Sequence, residues 1–152
     1  MLTQESIKLS DYVEYPFLIP RIDLNFDIRT DCVFVQSRMI IKPKHKESTK
    51  LILNGNQIEL LSISINAREL KSEQYLVTDK CLIITSPPGA EFELKIRSKI
   101  DPFRNTSLEG LYISSGMLTT QCEAEGFRRI CYHPDRPDVL SKYTVRLEAD
   151  SS

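Results

Sequence analysis

Arg21-Ile22-Asp23-Leu24-Asn25-Phe26-Asp27-Ile28 alternates without a break. Ile22, Leu24, Phe26 and Ile28 fall on one side of an extended chain, and Asp23, Asn25 and Asp27 on the other. That is the pattern of a strand with one face in a core and one in water. Residues 91–100 repeat it, with Phe92, Leu94, Ile96 and Ile100 set among Glu91, Glu93, Lys95, Arg97 and Lys99. Opposite charges along that polar face also discourage edge-to-edge pairing of copies. Outward from these two stretches, the spacing predicts strands over Val33–Lys42, Leu51–Leu53, Gln57–Ile65, Tyr75–Val77, Cys81–Thr85, Tyr112–Cys122, Phe127–Tyr132 and Tyr143–Ala149. Turn chemistry separates them at Asn54-Gly55-Asn56, Ser86-Pro87-Pro88-Gly89 and Pro134 to Pro137, and Asn66–Glu69 reads as the closure of a short hairpin. Pro137–Lys142 has room for one helical turn. So many short strands at close spacing predict an all-β fold, mostly antiparallel, with curved sheets packed as a β-sandwich in a single domain over residues 1–152.

The bulk numbers exclude more than they select. With 20 Lys and Arg against 21 Asp and Glu, the net charge is −1, which gives no electrostatic case for nucleic acid or a membrane surface as partner. The most basic stretch, Arg38 to Lys50, contains Pro43 and reads as a solvated hairpin tip. No apolar run reaches the roughly 18 residues that span a bilayer, and Met1–Asp11 has no apolar core of a secretory signal. Asn105-Thr106-Ser107 matches a glycosylation acceptor, which carries no weight without such a signal. The cysteines at 32, 81, 122 and 131 form no Cys-x-x-Cys pair and read as reduced thiols, so the expected location is the cytoplasm.

Few residues offer independent catalysis. A catalytic zinc takes three protein ligands, often two histidines at helical spacing with an intervening glutamate. Here there are two histidines, His45 and His133, far apart; a site from Cys122, Cys131 and His133 fits no familiar spacing. Ser114-Ser115-Gly116 lacks the Gly-x-Ser-x-Gly turn of a nucleophile, and Cys122 next to Glu123 is a poor thiolate. The expectation is therefore no catalytic residue and no metal ligand in this chain.

A carboxylate cluster remains. If Gln121–Glu125 is extended, Gln121, Glu123 and Glu125 share one face and Cys122 and Ala124 the other. One reading is a solvated acidic strand end, with Glu125 paired to Arg128 or Arg129. The other is a cradle for an ammonium group, with charge from Glu123 and a neutral acceptor from Gln121. A charge-assisted hydrogen bond of that kind contributes about 1.5–3 kcal/mol.

The motifs themselves bear on this choice. Leu108-Glu109-Gly110-Leu111-Tyr112, Thr120-Gln121-Cys122-Glu123-Ala124-Glu125-Gly126-Phe127-Arg128 and Asp135-Arg136-Pro137-Asp138-Val139-Leu140 follow one another as in the N-terminal domain of the zinc aminopeptidases related to bacterial aminopeptidase N. Tyr15-Pro16, Ile22 to Asp27 and Leu53-Asn54-Gly55 match in order upstream, so the chain resembles that family over nearly its whole length. The resemblance implies a saddle-shaped β domain packed on a separate catalytic domain. It implies that Gln121 and Glu123 bind the free α-amine of a peptide substrate, and it carries no role to Glu125. The family's zinc helix (His-Glu-x-x-His) and its Gly-x-Met-Glu-Asn motif lie downstream and are not in these residues. Zinc is thus expected in the full-length parent, where it polarises the scissile carbonyl and activates water. The chain is expected to be an N-terminal segment, inactive alone, whose partners are a peptide N-terminus and the missing catalytic domain. Apolar surface left by that missing part predicts self-association of the isolated chain. The competing expectation is a stand-alone β-sandwich module that binds peptides or proteins without catalysis.

Overall fold

The alternating stretches become the long strands of one sheet in a computed structural model that describes residues 8–45 and 50–150. In chain order the strands are β1 (Phe17–Ile28), β2 (Val33–Pro43), β3 (Leu51–Asn54), β4 (Glu59–Ile65), β5 (Arg68–Glu69), β6 (Tyr75–Val77), β7 (Cys81–Ile84), β8 (Phe92–Ile100), β9 (Gly110–Ser114), β10 (Met117–Gln121) and β11 (Lys142–Ala149). Six of them form a sheet in the order β11-β1-β2-β8-β4-β5; a second sheet is β3-β7-β6, and β9 and β10 pair as a hairpin. The pairings are antiparallel except β1 with β11, which run parallel.

One apolar cluster joins the two sheets. Ile22 and Leu24 of β1, Val35 and Met39 of β2, and Leu94 and Ile96 of β8 meet Leu51, Leu53, Leu82 and Ile84 of the small sheet, all buried. Each fully buried side chain of this size contributes about 1.5–3 kcal/mol. Pro20, which cannot donate to a ladder, stands where the β1–β2 register shifts between Leu18 and Arg21. The outer face of the large sheet is charged. Arg38 there bridges Asp23 Oδ2 (2.9 Å) and Glu93 Oε2 (2.6 Å) from the two flanking strands. Partial burial, which alone would raise the Asp23 carboxyl, is outweighed by hydrogen bonds from Arg21 and Arg38, so its pKa falls. At the small sheet, a Cβ on Gly55 would lie 2.3 Å from the Tyr132 ring, so only glycine lets that ring close over the core.

Several expectations need correction. Tyr112–Cys122 is two strands, because Ser115 (φ 49°) and Gly116 (φ 80°) make a two-residue left-handed turn between Ser114 and Met117. Asn66 and Ala67 close the β4–β5 hairpin in the same way, as expected. Phe127–Tyr132 is no strand: Phe127–Arg129 is a 3-10 turn, with Ile130 N and Cys131 N both donating to the Phe127 carbonyl. The basic stretch is not a hairpin tip, since β2 pairs with β1 and β8 while β3 pairs with β7, so the chain crosses between sheets there. At the end of β2 Lys42 meets Glu91 (2.6 Å), and just beyond it Lys44 meets Glu14. Lys46, like the rest of 46–49, residues 1–7 of the signal-peptide reading, and Ser151-Ser152 lie outside the described residues. Pro137–Lys142 makes a tight turn, with Val139 N on the Arg136 carbonyl (3.3 Å), and no helix. Among the described residues no helix is long and apolar enough to cross a membrane.

Candidate functional site

The chain stops being extended at Gln121, the last residue of β10. Gly126 N donates to the Cys122 carbonyl (2.9 Å) and closes a turn over residues 122–126. A Cβ on Gly126 would lie 2.3 Å from the Gln121 carbonyl oxygen, so the close return of the chain requires glycine. Gln121 Nε2 donates to the Glu123 carbonyl oxygen (2.8 Å), and Glu125 sits at φ +71°, the left-handed region. The expectation of Gln121, Glu123 and Glu125 on one strand face is thereby overturned. The turn brings Gln121 and Glu123 together through a side-chain to main-chain bond instead.

This turn is one wall of an open cleft of about 610 Å³. The other wall is apolar and aromatic, from Phe127, His133, Pro137, Val139 and Tyr143. Three acidic residues line the cleft: Glu123, Glu125 and Asp135. Asp135 Oδ2 accepts from both the backbone N and Nε of Arg128 (3.1 Å each), and Arg128 Nη2 lies 3.3 Å from Glu125 Oε1. Arg129, the other partner expected for Glu125, turns instead to Glu109 (3.0 Å) and Gln57 (2.8 Å). Glu123 is exposed, and its carboxylate forms no ion pair or hydrogen bond among the described residues. Gln121 is exposed too and does not itself line the cleft.

Within the apolar wall His133 is buried, its ring edge-on to Phe127 at 5.2 Å and its Nε2 hydrogen-bonded to Tyr143 Oη at 3.1 Å. Its Nδ1 has no hydrogen-bond partner. Burial pushes its pKa down to about 4, so the ring is neutral near pH 7. Burial likewise raises the Cys122 and Cys131 thiols, with the Asp135 charge adding to it; for Cys122 that neighbour is Asp135 rather than Glu123. Among the described residues no group of three or more His, Cys, Asp or Glu is arranged around a common point.

Two features of the site go beyond the sequence reading, which singled out Asp135-Arg136-Pro137-Asp138 without giving its residues a role. The Asp135-Arg136-Pro137-Asp138 block splits its work: Asp135 holds the turn through Arg128, while Asp138 takes a two-pronged bond from Arg136 (2.8 Å each) and another from Tyr12 Oη (3.0 Å). Those hydrogen bonds, from Arg136 above all, hold the Asp138 carboxyl well below the usual carboxylate range. The apolar wall was the second omission; the run of Phe127, His133, Val139 and Tyr143 has no single period that would mark it.

Comparison with known proteins agrees with this architecture. Residues 18–152 match the peptidase M1 N-terminal domain. An aminopeptidase N of Caulobacter vibrioides is 43% identical over 148 residues, 97% of this chain and 17% of its own length. An aminopeptidase N of Escherichia coli is 39% identical over 140 residues, 92% of this chain and 16% of its own. The crystal structure of Legionella pneumophila aminopeptidase A in complex with aspartic acid has a TM-score of 0.85 at 33% identity, covering 93% of this chain and 17% of that one. An M1 zinc metallopeptidase of Deinococcus radiodurans shares the fold at a TM-score of 0.74 and 14% identity, over 88% of this chain and 33% of that one. The chain spans about a sixth of the length of the curated relatives it matches. It belongs to the peptidase M1 N-terminal domain family, the β-rich N-terminal domain of aminopeptidase N-like zinc metallopeptidases.

Proposed function

We propose that this chain serves as the N-terminal part of a zinc-dependent aminopeptidase, inactive alone, in which Glu123 and Gln121 receive the free α-amine of a peptide substrate. The observation that carries this reading is the state of the acidic groups at the cleft. Glu125 and Asp135 are engaged by Arg128, and Glu123 alone is left without a cation among the described residues. An exposed carboxylate on a hydrogen-bonded turn, beside an amide acceptor, suits a primary ammonium. The relative from Legionella pneumophila was solved with aspartic acid, an amino acid that carries such a group.

Holding the amine one residue from the reacting bond would admit only the first peptide bond, which is exopeptidase selectivity by positioning. In this reading the metal, and the chemistry it supplies, belong to the rest of the longer enzyme. Four free thiols, two of them buried, support a reducing compartment, the cytoplasm, as its location. The isolated 152-residue chain would also self-associate, through apolar side chains of β11 that nothing described covers.

The test is Glu123→Ala in the longer enzyme. The expected result is a loss of roughly 10–100-fold in kcat/KM on free-amine peptides. Unchanged kinetics would remove Glu123 from the role.

A further inference from the structure

We infer that Arg128 and Asp135 are positioning residues for the amine-binding turn, a charged strut that transmits the rigidity of the core to Glu123. The inference rests on the functional reading above and adds to it the residues that set the geometry of the site.

The strut can be followed bond by bond. Asn54, at the end of core strand β3, exchanges backbone hydrogen bonds with His133 (2.8 and 3.1 Å), and its Oδ1 accepts from Asp135 N (3.0 Å). The Asp135 carboxylate then holds Arg128 at two points, the backbone N and Nε, and the Asp135 carbonyl takes a third bond from Nη2 (3.2 Å). Asn56 N donates to the Arg128 carbonyl (2.9 Å), so the main chain of Arg128 is tied to the same end of the small sheet. From there Nη2 reaches Glu125 Oε1, two residues from Glu123 on the turn.

The turn needs such support. Glu125 holds a left-handed backbone that a non-glycine residue adopts only under constraint, and Gly126 is pressed against the Gln121 carbonyl. The geometry also explains why two acidic groups at the cleft do not compete for an incoming cation. The guanidinium of Arg128 contacts both Glu125 and Asp135 and offsets part of their charge, whereas Glu123 has no such partner among the described residues and is the carboxylate left open to a cation. A planar fork with donors in several directions fits this task; a lysine in its place has a single ammonium and cannot reach all the acceptors.

The experiment compares Glu123→Gln, Arg128→Ala, Arg128→Lys and Asp135→Asn in the longer enzyme. The readout is the ratio of inhibition constants for a free amino acid and its α-hydroxy-acid counterpart, which differ only in the amine. Because the ratio is measured on active enzyme, a lower yield of folded protein does not move it. The inference expects Glu123→Gln to erase most of the preference for the amine. It expects Arg128→Ala and Asp135→Asn to narrow that preference roughly 10-fold, with Arg128→Lys failing to restore it. If Glu123→Gln narrows the preference while both strut variants keep the wild-type ratio, the strut is only structural and the inference is overturned. If Glu123→Gln itself keeps the wild-type ratio, the amine-binding reading fails and the inference falls with it.

Discussion

β1 and β11 lie side by side in the large sheet, in register, with the same alternation, yet their apolar side chains have opposite fates. Leu24 is 4% exposed and its neighbour Val145 is 54% exposed; Phe26 is 9% and Leu147 is 68%. Paired residues in adjacent strands point to the same face, so all four aim at the core side of the sheet. What differs is the layer above. Leu24 and Phe26 belong to the cluster shared with the β3-β7-β6 sheet, whereas no residue of β11 does. Alternation decides where a side chain points; a second layer decides what that direction is worth.

The largest way to break this contrast is to cut into the covered side. Leu94→Ala on β8, where the side chain is fully buried, should cost about 2–5 kcal/mol in urea unfolding. A loss below about 1 kcal/mol would mean that the two sheets are not packed as described.

The boundary between the two regions should be visible in acid. His133, on the covered side, is bonded to Tyr143 of β11, and burial lowers its pKa to about 4 from the ordinary histidine value of 6.5. Between those values the unfolded chain binds a proton that the native one refuses, so stability rises with pH through this window and falls as pH drops through it. The contribution is at most about 3 kcal/mol. His133→Phe, which keeps a ring in place, should flatten the unfolding free energy between about pH 6.5 and pH 4; an unaltered slope would assign the acid sensitivity to other groups.

The smallest effect belongs to the uncovered side. Leu147→Ala in the isolated chain should change stability by no more than about 0.5 kcal/mol. Its consequence is intermolecular instead: sedimentation should show association of the wild-type chain at high concentration and less of it for Leu147→Lys. A monomeric wild type would contradict self-association through this face.

These contrasts also mark what the sequence could disclose. β1, β2 and β8 were legible because a half-buried strand writes its two faces as a period of two. β11 was legible as a strand, but its parallel pairing with β1 was not, since a register between Ile22 and Tyr143 leaves no local trace. At the site, Gln121 and Glu123 were identified as a pair, yet their geometry was misread. An extended segment was expected where Gly126, packed on Gln121, folds the chain back. Arg128 and Asp135 stand seven residues apart, and Asn54, which anchors Asp135, is 81 residues away. Contacts over that range come from the packing of the sheets, and no spacing rule announces them.

The central claim is that the unengaged carboxylate of Glu123 receives an α-amine, and a crystal structure of the longer enzyme with a free amino acid bound tests it most directly. The account predicts the amine nitrogen within about 3.2 Å of a Glu123 carboxylate oxygen, with the Gln121 side chain beside it. An amine held by other groups, with Glu123 turned to solvent or paired to an arginine or lysine, would contradict it.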